Sequence, residues 1–161
     1  MDKQIEATSV HEKVNTIKAL RDNINLSYLK IGELLSLLKD KDKYMLHSGI
    51  GSTWTQFVSE FGIGRQYSYD LIALYEIFVI KWQIPSSDLA DIDRNKLSAC
   101  LPLVREAKDR DYVVEKIYQA KELSRGDLTV ALNQEKVGEH EHEWETVSYV
   151  KCNICGLRES A

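Results

Sequence analysis

A chain of 161 residues, 43% hydrophobic and 29% charged, is long enough to bury one core and carry a small appendage. Its net charge of -4 argues against a nonspecific nucleic-acid coat, because such binding depends on displacing counterions from phosphates. No run of about eighteen apolar residues occurs, and "MDKQIEATSVHEK" has no apolar segment behind a basic start, so the expectation is a cytoplasmic protein without membrane span or secretory signal.

Two prolines, eight glycines and helical periodicity along most of the chain predict a mostly α protein. Ser9-Val10-His11-Glu12 has the pattern of a capping box and should open a helix. Behind it Val10, Ile17, Ile24, Ile31 and Leu38 recur every seven residues, with Val14, Tyr28 and Leu35 between them. This stripe is either one helix to about residue 40 or two helices broken near "DNIN". A dimerising coiled coil would use the same stripe, but Arg21 occupies a seam position and the heptads are few. Packing within the chain is therefore the preferred reading, with a homodimer through this helix as the alternative. "KDKDKYMLHSGIGS" reads as a loop, with His47 as a surface residue lacking a partner.

Thr53-Trp54-Thr55-Gln56 is a second capping-box pattern. It starts a short helix with Trp54, Phe57, Val58 and Phe61 on its apolar face. Gly62-Ile63-Gly64 makes a turn, and a second helix follows, in which Ser68 is small enough for close approach and Leu71, Ile72, Leu74 and Tyr75 continue the buried side. Further on, Ser86 or Ser87 can cap a helix after Pro85, and Asp93 can cap "RNKLSAC", which Pro102 should interrupt or kink. Asp109 or Asp111 opens "YVVEKIYQAKEL", Ser124 caps "LTVALNQEK", and Gly138 should stop that last helix. Cys100, in "LSACLPL", reads as a buried small hydrophobe.

The segments "LKIGELLSLLKDK" and "TWTQFVSEFGIGRQYSYDLIALYEIF" resemble the helix-turn-helix of phage and plasmid proteins, similar to the region that follows the nuclease-like part of ParB partition proteins. The likeness covers residues 26–80 best and fades through 137. It implies a helix-turn-helix at 53–80 and a DNA-binding module of the kind used in replication, partition or transcriptional control. Its second helix would enter a major groove, with Arg65, Gln66, Tyr67 and Tyr69 toward bases and phosphates. Asp70 departs from the pattern, which would have a basic or neutral side chain there.

Residues 138–161 have a different character. Five glutamates stand against Lys151 and Arg158, so three of the four net negative charges lie here. Three cysteines are an odd number, and the pair Cys152-x-x-Cys155 suits a metal or redox site in a reducing compartment better than a disulfide framework. His140 and His142 precede that pair, completing four donors of the types zinc prefers, and Gly156 suits the turn of a cysteine knuckle. "EWETVSYVKC" is rich in strand formers. The segment resembles a small zinc ribbon. Four protein donors would close the coordination shell, which makes structural Zn2+ the expectation.

The division expected is thus a helical domain, 1–137, followed by a zinc-ribbon-like tail, 138–161. No Ser/His/Asp set, phosphate loop or carboxylate-rich metal centre marks an enzyme. The favoured expectation is sequence-specific DNA binding of phage, prophage or plasmid type. The alternative is an adaptor or inhibitor that binds a host protein through the tyrosine-rich hairpin and the acidic ribbon.

Overall fold

The computed structural model describes residues 9–17, 24–137, 144–146, 149–152 and 154–160. The protein is mostly helical, with a small antiparallel sheet near the C-terminus. Two compact units divide it, Met1–Arg94 and Asn95–Ala161. The division therefore falls near the start of a helix at residue 94, whereas the sequence reading set apart only residues 138–161. Among the described residues no helix is long and apolar enough to cross a membrane.

The first unit opens with helix α1 (9–17), whose Val10, Val14 and Ile17 are buried as the stripe predicts. The possible break near "DNIN" lies partly outside the described residues. Helix α2 (Ile24–Leu38) continues the stripe with Tyr28, Ile31, Leu35 and Leu38 buried. Each such side chain contributes about 1.5–3 kcal/mol through removal from water. Tyr28 combines this with polar work: its hydroxyl donates to the carbonyls of Leu89 at 2.9 Å and Ile92 at 3.2 Å. Burial, with the Asp93 carboxylate adding to it, raises the hydroxyl well above the usual tyrosine value and keeps it a donor.

The loop expected after residue 40 is instead helix α3 (Lys41–Ser48). Its charges face solvent while Tyr44 is buried, so one aromatic anchor holds a helix that charge alternation alone conceals. Helix α4 (Trp54–Ser59) begins with the capping box as predicted, Thr53 and Gln56 each serving the other's backbone N–H. Helix α5 (Arg65–Leu74) follows and passes into a π-helical segment, Tyr75–Lys81, which periodicity did not reveal. Extra residues per turn there rotate the buried face, placing Phe78 in the core while Glu76 receives hydrogen bonds from Lys39 and Ser36.

Helix α5 packs against α2 and against α4. At the α2 crossing, Gly32 lies directly under the Leu71 carbonyl, so close that a β-carbon at residue 32 would overlap it. The short α6 (Ser86–Leu89) begins after Pro85 without a serine side-chain cap.

Helix α7 (Arg94–Glu106), all but its first residue in the second unit, runs through Pro102, so the interruption the sequence offered as one alternative does not occur. Proline removes one helix hydrogen bond, and Pro102 stands on the exposed side of the helix. Helix α8 (Arg110–Glu122) is capped by Asp109, which accepts from the Tyr112 N–H at 2.8 Å. Helix α9 (Arg125–Val137) starts at Ser124, whose Oγ accepts from the Asp127 N–H at 3.2 Å. The predicted stop at Gly138 lies outside the described residues. Strands β1 (Trp144–Thr146), β2 (Tyr149–Cys152) and β3 (Arg158–Ser160) form an antiparallel sheet in that order. The stretch rich in strand formers thus supplies two paired strands, β1 and β2, and β3 extends the sheet.

Candidate functional site

Helices α4 and α5 are joined through residues 60–64. Gly62 takes φ of 67°, a left-handed conformation that a β-branched residue would strain, and Ile63 is buried in the corner. Gly64 is the N-cap of α5 and leaves its first turn without a side-chain cap. On the inner side of α5, Ser68, Leu71, Ile72 and Leu74 are buried. The outer side of its first two turns carries the residues expected to read DNA.

These residues are not equivalent. Arg65, Gln66 and Tyr69 are exposed, Tyr69 by 42%. The Arg65 guanidinium lies 5.9 Å from the Tyr69 ring centre, while that ring also neighbours Trp54 at 6.1 Å. Tyr67 is half-buried under Arg94, whose guanidinium lies 4.6 Å from the ring centre. Burial raises the Tyr67 hydroxyl against the pull of Arg94, with Asp70 adding to the rise, so it stays a protonated donor. Gln66 donates to Asp70 Oδ1 at 3.0 Å, which occupies one amide proton and gives the carboxylate a partner.

Arg94 escaped the sequence reading because it lies 27 positions beyond Tyr67, and only the return of the chain through α6 brings them together. The lysines that could have formed a basic stripe are mostly engaged elsewhere. Lys30 pairs with Glu33 at 2.7 Å, Lys39 with Glu76 at 2.6 Å and Lys43 with Asp40 at 3.2 Å. The Lys81 ammonium lies over the Trp82 ring at 4.8 Å.

The second candidate site is the cysteine knuckle. Cys152 ends β2, and its N–H donates to the Leu157 carbonyl at 2.7 Å; the Gly156 N–H returns to the Cys152 carbonyl at 2.8 Å. Gly156 adopts φ of 77°, which closes this tight turn and lets β3 start at Arg158. Both thiols are buried, and none of the three cysteines is in a disulfide. Two buried thiols on one turn fit a thiophilic cation once they ionise. His140 and His142, the other expected donors, lie outside the described residues. Among the described residues no group of three His, Cys, Asp or Glu donors assembles.

Beside the knuckle, a cavity of about 470 Å3 is lined by Thr129, Val130, Asn133 and Leu157, with Arg125 and Arg158 also on its wall. Cys100 is fully buried, as expected. Burial pushes its thiol up to about 11, so it remains protonated and unreactive.

No family model, curated protein or solved structure matches this chain. Assignment of a function therefore rests on the chemistry of these side chains.

Proposed function

We propose that the protein is a sequence-specific DNA-binding protein of phage, prophage or plasmid type, in which α4 and α5 form a helix-turn-helix and α5 is the reading helix. The observation that carries this reading is the division of labour along α5. Ser68, Leu71, Ile72 and Leu74 hold the helix in place, while Arg65, Gln66 and Tyr69 project from its first two turns. Arg65 would pair with a guanine edge and Gln66 with an adenine edge, and the Tyr67 and Tyr69 hydroxyls would donate to phosphates. Arg94, held against Tyr67, would add a guanidinium to the phosphate contacts. A likeness to partition-protein helix-turn-helix segments over residues 26–80 supports the same assignment.

For the C-terminal residues we propose a zinc-ribbon-like segment with one structural Zn2+ held by His140, His142, Cys152 and Cys155. When bound, the ion would supply cross-links that a segment of this size cannot obtain from an apolar core.

A second reading belongs to a different class, a non-enzymatic adaptor or inhibitor that docks a host protein through the tyrosine-rich surface and acidic ribbon. It is favoured by the acid partners of Lys30, Lys39 and Lys43, and by Asp70 beside the proposed reading residues. Ile50, fully exposed between two glycines of positive φ, would serve such a contact.

Titration of the zinc-loaded protein against random genomic DNA fragments at two salt concentrations, with sequencing of the retained DNA, separates the two. Enrichment of a short motif with salt-dependent retention supports groove reading. Absence of retention at low salt rejects it in favour of a protein partner.

A further inference from the structure

Histidine 47, read from sequence as a partnerless surface residue, instead lies in the last turn of α3 at the centre of a polar arrangement. Its Nδ1 is 3.3 Å from the Nδ1 of His11 on α1, 36 residues earlier in the chain. The two rings are tilted by 50° with centres 5.1 Å apart. Two imidazole nitrogens bound at about 2.0–2.1 Å to one tetrahedral ion are separated by about 3.3–3.4 Å. The observed separation is that of a hydrogen bond between the two rings, and it equally matches the span of two donors on one tetrahedral cation.

The other side of His47 is built to match. Its Nε2 faces Glu60 Oε2 at 3.1 Å, and the second oxygen of Glu60 accepts from Ser48 Oγ at 2.9 Å. In the tautomer that keeps the ring proton at Nε2 against this carboxylate, the Nδ1 lone pair is directed at His11. Metal-bound histidines are oriented by the same kind of outer partner. The His47 ring is also packed edge-on against Phe57, with centres 6.1 Å apart, and its side chain is only 11% exposed. His11 is exposed, which leaves the space between the nitrogens open to an ion from solvent.

We propose that His11 and His47 form a two-histidine site for a tetrahedral divalent cation that favours imidazole, Zn2+, with Glu60 as the positioning carboxylate. Among the described residues no third His, Cys, Asp or Glu completes a donor group, so water fills the remaining positions. The ion joins α1 to α3 and, through Glu60, to the end of α4. Because the unfolded chain holds these histidines 36 residues apart, the ion binds the folded unit preferentially and stabilises it. This site is independent of the zinc proposed for the tail, since His11, His47 and Glu60 all lie in Met1–Arg94.

The test uses the full chain with the tail donors removed by His140→Ala, His142→Ala, Cys152→Ser and Cys155→Ser. Titration with Zn2+ by calorimetry and with Co2+ by visible absorption should show one bound ion in tetrahedral surroundings. Adding His11→Ala, at an exposed position, should weaken binding at least about ten-fold without altering helix content, and His47→Gln should do the same. Glu60→Gln should weaken it about ten-fold by releasing the ring. Failure of the tail-donor variant to bind either ion overturns the proposal, as does unchanged affinity in the His11→Ala chain.

Discussion

Trp54 donates its indole N–H to Ser68 Oγ at 2.9 Å, tying the first residue of α4 to the buried face of α5. Ser68 in turn donates to the Arg65 carbonyl at 2.6 Å, so the bond between the helices also fixes the first turn of the proposed reading helix. Ser68→Ala preserves the close approach but leaves a buried N–H without its acceptor, at a cost of about 1–3 kcal/mol. Urea unfolding should show a lower midpoint with an unchanged slope. An unshifted midpoint would mean that the bond contributes nothing to stability.

Gly32→Ala tests the crossing of α2 with α5. A β-carbon there would overlap the Leu71 carbonyl oxygen and lie 2.9 Å from its carbon, and both atoms belong to backbone that no rotamer change can move aside. The helices must separate, with a loss of at least about 1–3 kcal/mol typical of overpacking. A thermal transition equal to that of the unaltered chain would contradict this crossing.

These two residues also show how far sequence pattern reaches. Ser68 was legible as the small residue of a turn-flanked helix because Thr53, Gln56 and Gly62 announce α4 and its end. Its hydrogen bond to Trp54 was not, because a hydroxyl's partner depends on the angle between two helices. The periodic stripe placed Tyr28, Ile31 and Leu35 in the core correctly. The same reasoning missed α3, whose single buried aromatic makes no stripe, and allowed Pro102 to interrupt a helix that runs on past it. Strand formers revealed β1 and β2, but Arg158-Glu159-Ser160 has no strand pattern and joins the sheet through the knuckle that precedes it. Arg94 beside Tyr67 and His11 beside His47 depend on the path of the chain, to which local periodicity is blind.

Acid should weaken the second unit through Glu135. Its carboxylate receives hydrogen bonds from the buried Lys116 and from Tyr112. Burial alone would raise its value, but these bonds and the Lys116 charge outweigh that and hold it below the ordinary 4.5. A lowered folded value means that the stabilisation is present above 4.5 and disappears as pH falls below it toward the folded value. Glu135→Gln should remove that part of the acid dependence and reduce stability near neutrality, where Lys116 would be left without its main counter-charge. Parallel pH–stability curves for the two proteins would exclude the role.

The tail makes a prediction of its own. Cys152→Ser together with Cys155→Ser removes both thiols from the Gly156 turn, so the proposed ribbon should lose its tightly held Zn2+ and its protection from protease. Helical content should stay nearly unchanged. Zinc analysis after dialysis against a weak chelator, read beside limited proteolysis, checks both parts; undiminished zinc in the double variant would remove the cysteines from the donor set.

Asp70 offers the sharpest test of the proposed reading helix because its effect has the opposite sign to that of its neighbours. The carboxylate is partnered by Gln66 but stays near a surface that would face phosphates. Asp70→Asn keeps the side-chain shape, removes one negative charge and should tighten DNA binding, most clearly at low salt where screening is weakest. Arg65→Ala should weaken it, by about 1–3 kcal/mol at a site where the guanidinium reads a guanine. Because Arg65 is exposed and Asp70 partly so, both variants should retain the helical signal of the parent. Binding isotherms on one selected DNA fragment decide the matter. Opposite shifts place α5 against DNA, whereas two unchanged isotherms would take α5 off the DNA.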